Sequence, residues 1–245
     1  MSPGWLVPDW PSAAGAAVST RDIAGTSQPP FDAFNLGSHC GDDPTHVALN
    51  RVQLTRELAL PQPPRWLRQV HGNQVLRFSR YSPYQDQSAD AAVTSDAGVV
   101  LAILTADCLP VLFASADGSE VGAAHAGWRG LCGCVLEATV QAMTTPASRL
   151  HAWLGPCIGA ASYEVGNEVR ERFIARDAGA SDAFQPSRDG HWWCDLAALA
   201  EQRLRACGVN HIHGGGFDTL ADQRFYSYRR NARTGRFASL IWMPR

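Results

Sequence analysis

Residues 97–114 read AGVVLAILTADCLPVLFA, and this stretch decides how the chain folds. Val99 to Leu104 is a buried strand by composition, and Leu109 to Ala114 resumes it after a break at Thr105-Ala106-Asp107-Cys108. With Asp107 and Pro110 inside so short a run, the stretch reads as a core strand pair and not as a membrane span. Downstream, Glu120 to Ala124 is a further strand, His125-Ala126-Gly127 leaves it, and Trp128 to Met143 reads as one helix. Upstream, Trp66 to Val70 and Val75 to Phe78 flank His71-Gly72-Asn73, which predicts a hairpin with a histidine at its tip. Residues 81–90 are polar and loop-like.

The flanks add the remaining elements. Residues 15–27 read as a strand running into a turn. Asp43 is placed to cap a helix with Pro44 at its first position, running to Leu58 and ended by Pro61 to Pro64. Leu150 to Leu154 is a strand, and residues 166–176 and 196–207 are helical by period, the second closed by Gly208. Gly214-Gly215-Gly216 is a turn, and Phe237 to Trp242 a final strand. Strands and helices mix without strict βαβ alternation. The expectation is therefore an α+β fold, a single domain over residues 1–245 with mixed β-sheets flanked by helices.

Bulk chemistry excludes several classes. The chain has 245 residues, a formal net charge of -2, 45% apolar and 18% charged residues, which is ordinary for a globular protein. No basic stripe marks a nucleic-acid surface. Seven cysteines in no scaffold spacing, after an N-terminus (MSPGWLVPDWPSAAG) that makes a poor signal peptide, point to reduced thiols in the cytoplasm. All 21 basic residues are arginine. A Schiff-base lysine and a phosphate-loop lysine are thus excluded, and any anion must be held by arginine, backbone N–H groups or metal.

His71, Cys108 and His125 are three candidate ligands placed where strands stop. A thiolate and two imidazoles suit zinc, and also copper, and three protein ligands leave a fourth place for water. The plain alternatives are a cysteine that packs as a small hydrophobe and histidines hydrogen-bonded in turns. A closed structural site would need a fourth ligand, for which His39 and Cys40 are the candidates. The deaminase pattern H-x-E with P-C-x-x-C is absent, as are H-E-x-x-H and G-x-S-x-G.

Three motifs, Gln69-Val70-His71-Gly72, Thr105-Ala106-Asp107-Cys108-Leu109-Pro110 and His125-Ala126-Gly127-Trp128-Arg129-Gly130, resemble the YfiH-like family. That family is described as multicopper polyphenol oxidoreductase (laccase domain) and also as purine nucleoside phosphorylase. Asn35-Leu36-Gly37, Leu154-Gly155-Pro156, Tyr163-Glu164-Val165 and Phe225 to Arg230 extend the likeness over nearly the whole chain. The resemblance implies a YfiH-like fold, loosely similar to the catalytic domain of cytotoxic necrotizing toxins, with His71, Cys108 and His125 as metal ligands. It further implies phosphorolysis of adenosine, inosine, guanosine and methylthioadenosine, with adenosine deaminase activity. The partners would be nucleoside and phosphate, with no nucleic acid or membrane, in a monomer or small homo-oligomer. One departure is that relatives often carry a cysteine where this chain has Phe217-Asp218-Thr219.

A mononuclear zinc site suits nucleoside chemistry. The alternatives are a copper-loaded polyphenol oxidase (laccase), or a metal-free hydrolase of cell-wall precursors or amides with Cys108 as nucleophile and His125 as base. Arg129, near a predicted helix start, and Arg229 and Arg230 are candidate anion contacts. Asn35 is a candidate for sugar hydroxyls or a turn former, and Asp107 for orienting a ligand or moving a proton.

Overall fold

The computed structural model describes residues 4–84 and 87–244. In chain order its strands are β1 (Trp5–Leu6), β2 (Gly15–Ser19), β3 (Leu67–Arg68), β4 (Val75–Arg77), β5 (Gln87–Ser88), β6 (Ala91–Thr94), β7 (Val100–Thr105) and β8 (Leu109–Ser115). They continue with β9 (Val121–Ala126), β10 (Leu150–Leu154), β11 (Glu164–Gly166), β12 (Phe184–Pro186), β13 (His191–Cys194), β14 (His211–Gly214) and β15 (Phe237–Trp242). The helices are α1 (Pro44–Glu57), α2 (Trp128–Cys132), α3 (Val135–Ala142), α4 (Asn167–Ile174) and α5 (Leu196–Ala206).

One sheet has the order β1-β2-β15-β7 and is antiparallel throughout. The other has the order β14-β10-β8-β9-β6-β4, antiparallel inside with a parallel pair at each edge. The two sheets face each other. Leu101 and Ile103 of β7 and Phe237 and Ile241 of β15 pack with Leu112, Ala114, Val121 and Ala123 of β8 and β9. The alternate residues of β7 and β15, Val100, Ala102, Ala238 and Leu240, turn outward onto Leu54 of α1 and onto Phe34 and Leu36. On the far side, Leu109, Val111, Phe113, Ala124 and Ala126 meet Leu136, Phe173, Leu199 and Leu204 of the helices. Each sheet is covered on both faces, so residues 97–114 show no polar alternation. Each large apolar side chain so buried contributes about 1.5–3 kcal/mol. The mixed sheets flanked by helices are as expected.

Three expectations need correction. β7 and β8 are not paired with each other: β7 adds to β15, and β8 lies between β9 and β10. The break at 105–108 instead hands the chain from one sheet to the other. The hairpin around His71 is absent, since β3 pairs in parallel with β5 and β4 in parallel with β6. A side chain does the work of a ladder there: the N–H groups of Val70, His71 and Gly72 donate to the Asp90 carboxylate at 3.1, 2.9 and 2.7 Å. The helix expected over Trp128 to Met143 is two helices, because Gly133 caps α2 and Cys134 sits in the left-handed region at φ 70°. By contrast α1 starts as the sequence indicates, with Asp43 accepting from the Thr45 N–H at 2.7 Å and Pro44 at its first position. Gly208 closes α5 at φ 87°. Within residues 81–90, read as loop, Gln87–Ser88 forms β5, and residues 85 and 86 lie outside the described residues, as do residues 1–3.

Candidate functional site

The sheet-to-sheet crossing puts Cys108 at the mouth of the interlayer space. Asp107, at φ 89°, turns the chain there, and its carboxylate fixes the turn. One oxygen accepts from the Thr219 hydroxyl at 2.7 Å and the other from the Arg229 backbone N–H at 2.6 Å. Across the ladder, Pro110 lies opposite His125 of β9, which brings that imidazole beside the thiol. His71, at φ 59° in the turn held by Asp90, completes the group, with its Nε2 3.9 Å from Cys108 Sγ. The donor atoms of His71, Cys108 and His125 all lie within 4.8 Å of one another. Among the described residues they are the one group of three or more His, Cys, Asp or Glu whose donors converge in this way.

The donor set fits a transition metal. His125 Nδ1 is 2.8 Å from Asp90 Oδ1, so Nδ1–H donates to the carboxylate and Nε2 is the ring nitrogen left for Cys108 and His71. The ring is 3% exposed and cannot turn to solvent. Gly127 makes room: a Cβ there would stand 2.8 Å from Cys108 Sγ and 3.1 Å from His71 Cδ2. Burial alone would push the Cys108 thiol up, but the charge of His125 and hydrogen bonds from His125 and His71 outweigh it, lowering it to about 6. Burial would push His125 down, but the charge of Cys108 and the hydrogen bond to Asp90 raise it to about 9. Both shifts run toward a thiolate beside an imidazolium. An ion that displaces that proton meets a ready thiolate and two imidazoles, the donors zinc and copper prefer.

These donors form the floor of a cleft of about 610 Å³, within the size range of small-ligand sites. Arg129, Arg229 and Arg236 line it, each laid against an aromatic ring: Trp128 at 4.6 Å, Tyr163 at 5.2 Å and Tyr228 at 5.9 Å. Arg229 also donates to the Glu164 carbonyl, and Arg236 to those of Thr234 and Gly235. Among the described residues the Arg129 guanidinium has no hydrogen-bond or ion-pair partner.

The expected substrate contacts divide. Arg129 and Arg229 line the cleft. Arg230 does not; its guanidinium binds the carbonyls of Thr219, Leu220, Asp222 and Phe225 and ties that loop together. Asn35 is fully buried and is not among the residues lining the cleft, its amide spent on Gly37, Cys40, Asp42 and the Arg236 N–H, which is the turn-forming role. The helix start expected to assist anions is weak, since α2 has only five residues. Of the two candidate fourth ligands, both His39 and Cys40 line the cleft, but the Cys40 thiol donates to the Gly37 carbonyl at 3.2 Å. Asp90 and Arg236 are the residues that the motifs did not single out. The signal for Asp90 was an acid at the head of the apolar run Ala91–Val93.

Residues 15–244 match the model of the family described as multi-copper polyphenol oxidoreductase laccase. A protein named purine nucleoside phosphorylase from Xylella fastidiosa is 52% identical, covering 98% of both chains. Purine nucleoside phosphorylase YfiH of Escherichia coli is 50% identical over 97% of this chain and 98% of its own. The crystal structure of Neisseria meningitidis protein NMB0706 superposes with a TM-score of 0.94 at 40% identity, covering 99% of this chain and 100% of that one. That of YlmD from Geobacillus stearothermophilus gives 0.87 at 30% identity, covering 100% and 98%. Among the described residues no helix is long and apolar enough to cross a membrane.

Proposed function

The chain belongs to the multi-copper polyphenol oxidoreductase laccase family, and we propose that it is a metal-dependent purine nucleoside phosphorylase using zinc. Its substrates are adenosine, inosine, guanosine and methylthioadenosine, with adenosine deamination as a second activity. The observation that carries the reading is the convergence of His71, Cys108 and His125 on the floor of a cleft ringed by arginine–aromatic pairs. The names of the relatives at about half identity support it.

In phosphorolysis an oxygen of phosphate bonds to the sugar carbon C1′ while the bond from C1′ to the purine nitrogen breaks. Arg129, the cation without a protein partner, receives the phosphate, and Arg229 flanks it. Trp128, Tyr163 and Tyr228 offer faces to the purine. A divalent ion on His71, Cys108 and His125 would supply Lewis acidity to the reacting group. Asp90 keeps His125 in the tautomer that presents Nε2. Asp107, with both oxygens engaged, acts by holding Cys108 in place and not by moving a proton.

A second reading rests on the Cys108–His125 charge pair, which also describes a cysteine hydrolase acting on amides or cell-wall precursors. In that reading His71 is dispensable. A copper-loaded phenol oxidase is the third: one copper fits the site, whereas a cluster of adjacent coppers finds no housing among the described residues. The test is metal analysis of the purified protein with release of free purine from adenosine and inosine, measured with and without phosphate. The expected result is phosphate-dependent release that chelation abolishes and zinc restores. Turnover without phosphate that survives complete metal removal overturns the proposal.

A further inference from the structure

Three histidines far from the cleft gather on one face of the larger sheet. β10 and β14 run parallel, with His151 opposite His211 and Trp153 opposite His213. Side-chain alternation therefore sets His211 and His213 on the same face as His151. The His151 ring stacks on His211 with centroids 4.7 Å apart, and its Nδ1 reaches His213 Nε2 at 3.1 Å. β14 is the edge strand of its sheet, and none of the three rings is buried. Among the described residues no carboxylate or carbonyl accepts a hydrogen bond from any of them. Their one hydrogen bond among the described residues runs between His151 and His213.

We propose that His151 and His213 form a second transition-metal site of two imidazole donors, taking Cu(II) ahead of Ni(II) and Zn(II). The 3.1 Å between the two nitrogens matches the spacing of neighbouring donors around an ion whose metal–nitrogen bonds are about 2.0–2.1 Å. Binding releases the proton shared between them to water, and the ion sits to one side of the line between the two nitrogens. Imidazole suits copper, nickel and zinc, and the order among them follows the general affinity series.

The site is separate from the cleft. His151 lies opposite Ala114 of β8 and His125 opposite Pro110, with β8 between β10 and β9. Four residues along and two strands across is about 16 Å. The two sites therefore load independently, and copper here is not coupled to an ion at Cys108.

The experiment titrates metal-free protein with Cu(II), followed by calorimetry and electron paramagnetic resonance. The parent should take up one more equivalent than either His151→Asn or His213→Gln, and the lost signal should carry nitrogen couplings only. Cys108→Ala should keep that signal while losing the thiolate-to-copper absorption. Phosphate-dependent purine release by His151→Asn should match the parent. Equal copper uptake by the parent and both histidine variants, each melting like the parent, overturns the proposal.

Discussion

Asp90 joins the two halves of the centre through one carboxylate. Oδ1 receives the His71 backbone N–H and the His125 ring, while Oδ2 receives Val70 and Gly72. It is fully buried, and hydrogen bonds from His125 and the turn hold it below the usual carboxylate value against the opposing effect of burial. Asp90→Asn should keep the fold and weaken zinc binding about 10–100-fold, read by competition with a chromophoric chelator. Arg129→Ala should raise the KM for phosphate at least tenfold with little change in melting temperature. Arg230→Ala should do the reverse, because it strips donors from four loop carbonyls and leaves the cleft intact. The three donors were legible because each sits in a distinctive motif at a strand end. Asp90 was not, because its partners lie 19 and 35 residues away and no local spacing relates them. Arg236 was hidden for the same reason. Arg229 and Arg230 look alike in sequence and differ only in which way the loop turns them.

Elements whose ends carry their own chemistry were legible; those that depend on a distant partner were not. Asp43-Pro44 announced α1, and Gly208 announced the end of α5. Asp195 caps the start of α5 by accepting from the Ala198 N–H at 2.9 Å. Asp195→Ala should cost about 1 kcal/mol, seen as a fall of about 2–4 °C in thermal unfolding. The strand pairing near His71 escaped because two-residue strands have no periodicity, and register is set by segments not adjacent in sequence. The short sheet β11-β13-β12 was missed on the same ground. The split between α2 and α3 hinges on a left-handed Cys134, a conformation that nothing in the residue type foretells.

At the scale of the whole molecule, the layered order followed from the double apolar character of residues 97–114, but the assignment of β7 and β8 to different sheets did not. Glu120 ties distant parts together. Its side chain is 1% exposed and accepts from the N–H groups of Thr144 and Thr145 and from Arg77. Burial alone would raise it, yet these bonds hold it below 4.5. Its contribution to stability is therefore full above about pH 4.5 and lost as pH falls through the lowered folded value. Glu120→Gln should be less stable than the parent at pH 7, with the gap closing in acid, as chemical denaturation at several pH values would read.

The line-up of β4, β6, β9 and β8 within one sheet bears on the order of folding. His71 and Cys108 are 37 residues apart, and they meet across strands that pair over long stretches of chain. Such long-range closure comes late on the path from the unfolded chain. Metal capture is then a timer for the finished architecture. In stopped-flow refolding with Co(II), colour from the sulfur–cobalt bond should rise only with the slowest productive phase. Colour that outran the burial of Leu101 and Leu112 would mean that the ion nucleates the fold and is not its last arrival.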